Sequence, residues 1–453
     1  MRLLAITVVA MLTACAANVP LALAIAPPEV DRLLVPADGP PAPDQPMRQS
    51  NVCATAIAAE TPDVMRPAAG FTMLNIRDAW RYSTGKGVSV AVIDTGITPS
   101  PRLPALPGGD YITGGDGLSD CDAHGTLVAS VIAARPSTGD GVAGVAPDAS
   151  VISIRQSSRA FEPSSPGWGD FEARKKAGTV ASLARAIVHA ANLGANVINV
   201  SVTACVSAAE ALDQRAIGAA VWYAAVEKDA LIVAAAGNEG EEGCAQNPPL
   251  DPLNPADPRD WSHVRTISSP SWFSDYVLSV GAVTPTGTPI DKSLAGPWLG
   301  VAAPGIGVTG LSPQNAGAVN AHPPMRPGEA AIPLWGTSFS AAYVSGVAAL
   351  VRARFPDLSA HQVINRILRT AHSPARGIDN QVGHGMVDPV AALTFDVPPG
   401  DLVAAGTRTR LLIPPAAPPP PDRRARTAAV CLAVAAGVIA ILTPLISAAR
   451  RAR

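Results

Sequence analysis

A strand buried on both faces of a parallel sheet reads as a nearly continuous apolar run, and this chain of 453 residues carries five of them. They are Val88-Ser89-Val90-Ala91-Val92-Ile93, Val151-Ile152-Ser153-Ile154, Val197-Ile198-Asn199-Val200-Ser201, Leu231-Ile232-Val233-Ala234-Ala235-Ala236 and Val277-Leu278-Ser279-Val280. Helical patterns lie between them, over 124–134, 182–193 and 208–228, and further helices are expected over 359–370 and near Val390. Strands alternating with helices predict an α/β fold, a doubly wound sandwich with a mostly parallel sheet. In such sheets the ligand site lies beyond the carboxyl ends of the strands, where Asp94 and Asn238 fall.

The densest chemistry sits in Leu334-Trp335-Gly336-Thr337-Ser338-Phe339-Ser340-Ala341-Ala342-Tyr343-Val344-Ser345-Gly346, a Gly-Thr-Ser turn opening into a helix of small residues. A hydroxyl at a helix N-terminus meets unpaired N–H groups and the positive end of the helix dipole, which favour developing negative charge. Taken alone, Ser338 would be an ordinary N-cap. Two upstream segments change that reading: Val90-Ala91-Val92-Ile93-Asp94-Thr95-Gly96 supplies an acid, and His124-Gly125-Thr126-Leu127-Val128-Ala129-Ser130 a base. A serine hydroxyl needs a base to take its proton, and the base needs a carboxylate to hold its tautomer. Asn238, after Ala234-Ala235-Ala236-Gly237, is the candidate oxyanion donor, with the backbone N–H of Ser338 as the second.

The ends of the chain read as addresses. Met1-Arg2, an apolar run and a small-residue site ending Leu23-Ala24 predict a secretory signal peptide over 1–24, although Leu12-Thr13-Ala14-Cys15 also fits a lipoprotein box. Residues 25–70 form a Pro-rich extension without periodicity, expected to run over a surface and pinned by Cys53. The main α/β domain is placed at 71–396, a Pro-rich linker at 397–426, a transmembrane helix at 427–449 and a cytoplasmic tail at 450–453. Arginines are equal in number on the two sides of that helix, so its orientation follows from the signal peptide, with the main domain exported. Cys53, Cys121, Cys205 and Cys244 lie in the exported part and suggest two disulfides, with three possible connectivities. No C-x-x-C pair and no histidine at ligand spacing supports a metal, and a formal charge of −2 gives no reason to expect nucleic acid as a partner.

Asp-Thr-Gly at 94–96, His-Gly-Thr-x-Val-Ala at 124–129, Gly-Val-Ala-Gly-Val-Ala-Pro at 141–147, Ala-Ala-Gly-Asn at 235–238, Gly-Thr-Ser at 336–338 and Gly-x-Gly-x-Val-Asp at 383–388 resemble the subtilisin-type serine proteases. The order Asp, His, Ser is the subtilisin one. Leu118-Ser119-Asp120-Cys121-Asp122-Ala123-His124, Ile187-Val188-His189-Ala190-Ala191-Asn192-Leu193-Gly194 and the tethered last helix resemble, more narrowly, the mycosins, membrane-anchored subtilases of mycobacterial type VII (ESX) secretion systems. The resemblance implies a subtilisin-like three-layer fold and a serine endopeptidase without cofactor. It implies Asp94, His124 and Ser338 as the triad and Asn238 as oxyanion residue. Ser201, Val202, Thr203, Ala235 and Gly237 would line the substrate cleft. It also implies disulfides Cys53–Cys121 and Cys205–Cys244, and an N-terminal extension that wraps the domain rather than blocking it. Its partners would be exported protein substrates and membrane components of the secretion complex; the alternative is a mainly structural part of that complex, with proteolysis dispensable. Two departures stand out: Ala342 and Tyr343 replace the usual Pro and His, and Ser201-Val202-Thr203-Ala204 replaces Ser-Leu-Gly-Gly. The second predicts a narrowed S1 pocket and small residues before the scissile bond.

Overall fold

The computed structural model describes residues 25–165, 178–210, 213–241, 243–248, 250, 253, 257–375 and 377–404. The expected signal peptide, with Cys15, and the expected membrane helix lie outside these residues, as does a second unit, Arg410–Arg453. Among the described residues no helix is long and apolar enough to cross a membrane.

Seven strands form the central sheet: β2 Ser89–Asp94, β3 Ala105–Asp110, β4 Ser150–Arg155, β6 Val197–Val200, β8 Leu231–Ala235, β10 Val277–Val283 and β11 Leu299–Pro304. Their spatial order is β11-β10-β8-β6-β2-β4-β3, and every pairing is parallel. All five apolar runs became central members of this sheet. Its two edges, β3 and β11, were not expected, because Ala105-Leu106-Pro107-Gly108-Gly109-Asp110 and Leu299-Gly300-Val301-Ala302-Ala303-Pro304 carry Pro and Gly instead of a β-branched run. Edge strands tolerate both, and the β3 register shifts between Pro107 and Asp110.

Two short helices, α1 Ala69–Met73 and α2 Ile76–Ala79, lead into β2. The pleat then sorts the side chains into two cores. Val90 and Val92 of β2 belong to one, with α3 His124–Ala133 and α6 Thr337–Arg354; Ala91 and Ile93 belong to the other, with α4 Val180–Asn192 and α5 Arg215–Trp222. The helix expected to begin at 208 begins instead at Arg215. The residues before it include β7 Ala204–Ser207, which pairs antiparallel with β9 Thr266–Ser269. Thr179 and Ser359 close capping boxes at the starts of α4 and of α7 Ala360–Thr370.

α6 is buried from Thr337 to Arg352, which small residues permit. A Cβ at Gly346 would stand 2.4 Å from Val145 Cβ, so helix and neighbouring loop touch through the missing side chain. Tyr343, where subtilisins carry histidine, is 3% exposed, and its hydroxyl would meet a Cβ at Gly70 at 2.9 Å.

The extension runs over the surface. β1 Met47–Gln49 pairs antiparallel with β5 Phe161–Pro163, and Asp38 accepts from Asn192 Nδ2 at 2.8 Å and pairs with His189 Nδ1 at 2.8 Å. Asp44 accepts from Thr179 Oγ1 at 2.8 Å and pairs with Arg185. Disulfides join Cys53 to Cys121 and Cys205 to Cys244, the pairs that the resemblance implied.

Candidate active site

Four loops at the carboxyl ends of the strands bring the expected residues together. Asp94 is the last residue of β2, and His124 the first of α3. The residue between loop and helix, Ala123, has φ 62°, a left-handed conformation that costs an L-residue about 1–2 kcal/mol and sets the direction in which α3 starts. His124 Nδ1 lies 2.7 Å from Asp94 Oδ1, which also accepts from Thr95 N at 2.7 Å. Asp94 is fully buried. Burial pulls the His124 pKa down, but the charge and hydrogen bond of Asp94, aided by Asp120, outweigh it, and the pKa ends above its usual 6.5.

Nothing in the sequence assigns Asp120 a role, yet it organises this half of the site. Its Oδ1 accepts from Thr95 Oγ1 at 2.9 Å and Asp122 N at 3.0 Å; its Oδ2 accepts from Thr126 N at 2.8 Å and Thr126 Oγ1 at 2.6 Å. Thr95 Oγ1 in turn accepts from Gly125 N at 2.9 Å. The loop that carries Asp94 and the helix that carries His124 are therefore stitched through one carboxylate. Desolvation pushes the Asp120 pKa up to about 6, against these donors and with some help from the Asp94 charge.

Gly336, with φ 146°, turns the chain into α6, a conformation that favours glycine. Ser338 is 7% exposed, and its Oγ donates to the Ser201 carbonyl at 3.2 Å. His124 lies beside the same helix start, its ring 5.6 Å from that of Phe339; among the described residues no hydrogen bond joins it to Ser338 Oγ. Ser201 is tied down from below: Asn199 Nδ2 donates to Ser201 Oγ at 2.8 Å, and Ser345 Oγ donates to Asn199 Oδ1 at 2.9 Å. An Asn within an apolar strand was the available signal for this chain of contacts.

Asn238 is oriented by the residue before the serine. Its Oδ1 accepts from Thr337 N at 3.0 Å and Thr337 Oγ1 at 3.1 Å, and Thr337 Oγ1 accepts from Gly237 N at 3.1 Å. Val202 and Thr203 are half-buried beside Ser201, and Ala235 and Gly237 are buried. Among the described residues no group of three His, Cys, Asp or Glu side chains could hold a metal ion.

An aspartate-bound imidazole beside a serine at the head of a buried helix, at the carboxyl edge of a parallel sheet, is an arrangement suited to acyl transfer. Residues 85–385 match the family described as Subtilase family, Peptidase_S8. Mycosin-2 of Mycobacterium tuberculosis is 52% identical over 95% of this chain and 94% of its own. The chain belongs to the mycosins, within the subtilase family. As a mycosin it is a subtilisin-like serine endopeptidase. Its fold is similar to the crystal structure of MycP1 from Mycobacterium smegmatis, with TM-score 0.81 and 48% identity, covering 85% of this mycosin and 100% of that chain. It is also similar to a chain in the structure of an intact ESX-5 inner membrane complex, with TM-score 0.78 and 50% identity, covering 94% and 100% of the two chains.

Proposed function

We propose that Asp94, His124 and Ser338 form the catalytic triad of a membrane-anchored endopeptidase that processes proteins exported by a type VII secretion system. The observation that carries this reading is the 2.7 Å contact of a fully buried Asp94 with His124, set beside Ser338 at the N-terminus of α6. Ser338 Oγ attacks the scissile carbonyl while His124 Nε2 takes its proton, and Asp94 holds Nδ1 and stabilises the imidazolium. The tetrahedral oxyanion accepts from Asn238 Nδ2 and Ser338 N; His124 then returns the proton to the leaving amine, and water releases the acyl group by the same route. Ser201, Val202 and Thr203 form one wall of the substrate cleft, Ala235 and Gly237 the other. The β-branched Val202 and Thr203 narrow S1, so small residues are taken before the scissile bond.

The remaining assignments follow the same reading: signal peptide 1–24, extension 25–70, peptidase domain 71–396, linker 397–426, transmembrane helix 427–449 and cytoplasmic tail 450–453, with the peptidase domain on the periplasmic side. A second role, stabilising the membrane complex, is favoured by the likeness to a chain of the ESX-5 inner membrane complex over 94% of this sequence. One experiment tests both roles: complement a deletion strain with Ser338→Ala and score export and processing separately. Loss of processing with export intact makes the chain a protease built onto a structural component. Loss of both at normal protein levels makes hydrolysis the essential act, and intact processing refutes the triad.

A further inference from the structure

Asn238 Nδ2 already has an acceptor. It donates to Glu241 Oε1 at 3.2 Å, while its Oδ1 is committed to Thr337. Glu241 is held there by a tight turn: Glu241 N donates to Asn238 O at 3.1 Å, Cys244 N donates to Glu241 O at 2.9 Å, and Gly240 N donates to Cys244 O at 3.2 Å. Cys244 is bonded to Cys205, four residues beyond Ser201 on the pocket wall. The same carboxylate faces Arg159 Nη2 at 3.5 Å. Arg159 follows β4, whereas Glu241 follows β8, and β6 and β2 lie between those strands. The ion pair therefore reaches over the strand ends that carry Ser201 and Asp94. Arg159 has its own backbone anchored, its N donating to Asp122 Oδ1 at 2.7 Å and its carbonyl accepting from Asn51 Nδ2 at 2.9 Å.

Resting on the proposed roles of Ser338 and Asn238, we infer that Glu241 and Arg159 form a latch across the cleft, in which the Glu241 carboxylate takes the hydrogen bond required by the oxyanion. Nδ2 carries two protons, but a carboxylate on one places a full negative charge beside an oxyanion on the other, inside a partly desolvated cleft. The two anions repel, so a substrate chain must part Glu241 from Asn238 before the oxyanion hole is complete. Glu241 is thus a positioning residue that sets how much of the enzyme is ready to react.

The test is the labelling rate of the full chain in detergent by a fluorophosphonate probe. In that reaction Ser338 Oγ forms the bond to phosphorus, the P–F bond breaks, fluoride leaves and His124 takes the proton. Glu241→Ala is expected to label about threefold to tenfold faster, the effect of one charge-assisted hydrogen bond discounted for a carboxylate partly open to water. Glu241→Gln should gain less, and the gain should vanish in an Asn238→Ala background. Arg159→Ala leaves the turn intact and, compared on the alkaline plateau of the labelling profile because the Arg159 charge also lowers the His124 pKa, should label slightly faster for an arginine 89% exposed, which keeps the test usable if Glu241→Ala fails to fold. Ser338→Ala separates the two readings: label taken up by it refutes the assignment of the site. With Ser338→Ala silent, a rate at or below wild type in both Glu241→Ala and Arg159→Ala overturns the latch alone.

Discussion

Asp120→Asn should destabilise the fold by an amount that grows as the pH falls. Asp120 is 7% exposed and receives four donors, two of them the backbone N–H groups of Asp122 and Thr126, one on each oxygen. An asparagine must turn its NH₂ towards one of those N–H groups, and neither can rotate away as the Thr95 and Thr126 hydroxyls can. Each buried donor left unpaired costs about 1–3 kcal/mol. Against this stands the burial of the wild-type charge, which raises the Asp120 pKa from 3.8 to about 6 and corresponds to about 3 kcal/mol lost by the wild type at neutral pH. The sign follows from proton binding: between about pH 6 and 3.8 folded Asp120 is protonated while unfolded Asp120 is not, so the wild-type stability from this group rises as pH falls. The amide of the variant does not titrate and has no such gain. The two costs nearly cancel at pH 8, and the deficit of Asp120→Asn should widen by about 2 kcal/mol at about pH 4.5. Urea unfolding of both proteins at these two pH values measures the difference. An equal deficit at both refutes the reasoning, because it would mean that the folded protein does not disfavour the Asp120 charge.

Other expectations follow from the same geometry. The Asp94 carboxylate holds the His124 pKa above 6.5, so the acid limb of the kcat/KM profile should lie above pH 6.5; removing the Asp120 charge should move that limb to lower pH, and a shift upward would contradict the electrostatics. Val202→Gly with Thr203→Gly should open S1 and let Leu and Phe compete before the scissile bond in a peptide library; efficient cleavage after Phe by the wild type would sink the narrow-pocket reading. Replacing Cys205 and Cys244 by Ala opens a loop of 39 residues, for which loop-closure entropy predicts a loss of roughly 4 kcal/mol in denaturant.

What could be read from the chain alone follows from where the signal is local. The five central strands announce themselves because burial on both faces demands a nearly continuous apolar run, and Asp94, His124, Ser338 and Asn238 sit in short motifs at the ends of their elements. β3 and β11 escaped because an edge strand needs neither the run nor the absence of Pro and Gly. β7 escaped because Ala204-Cys205-Val206-Ser207 is too short to set a period, and its partner β9 lies far along the chain, at Thr266–Ser269. Asp120 and Glu241 were illegible for another reason. Each works through hydrogen bonds whose partners converge only after folding, and nothing in a lone Asp or Glu distinguishes a buried acceptor from a solvated side chain.

The extension is a surface element tied to the loops around the site. Its anchors fall on the loops around the cleft: Cys53 bonds Cys121, three residues before His124; β1 pairs with β5, just beyond Arg159; and Ile57 bridges to Ala321, beside His322. These anchors bypass Asp94, His124, Ser338 and Asn238. Val52, next to the disulfide, is 90% exposed, while Ala56 is buried. The extension is thus fastened to the 118–122 and 156–163 loops. Because Arg159 is held on one side by Asn51 of this extension and on the other by Asp122, stiffening those loops also fixes the end of the ion pair that keeps Glu241 on Asn238.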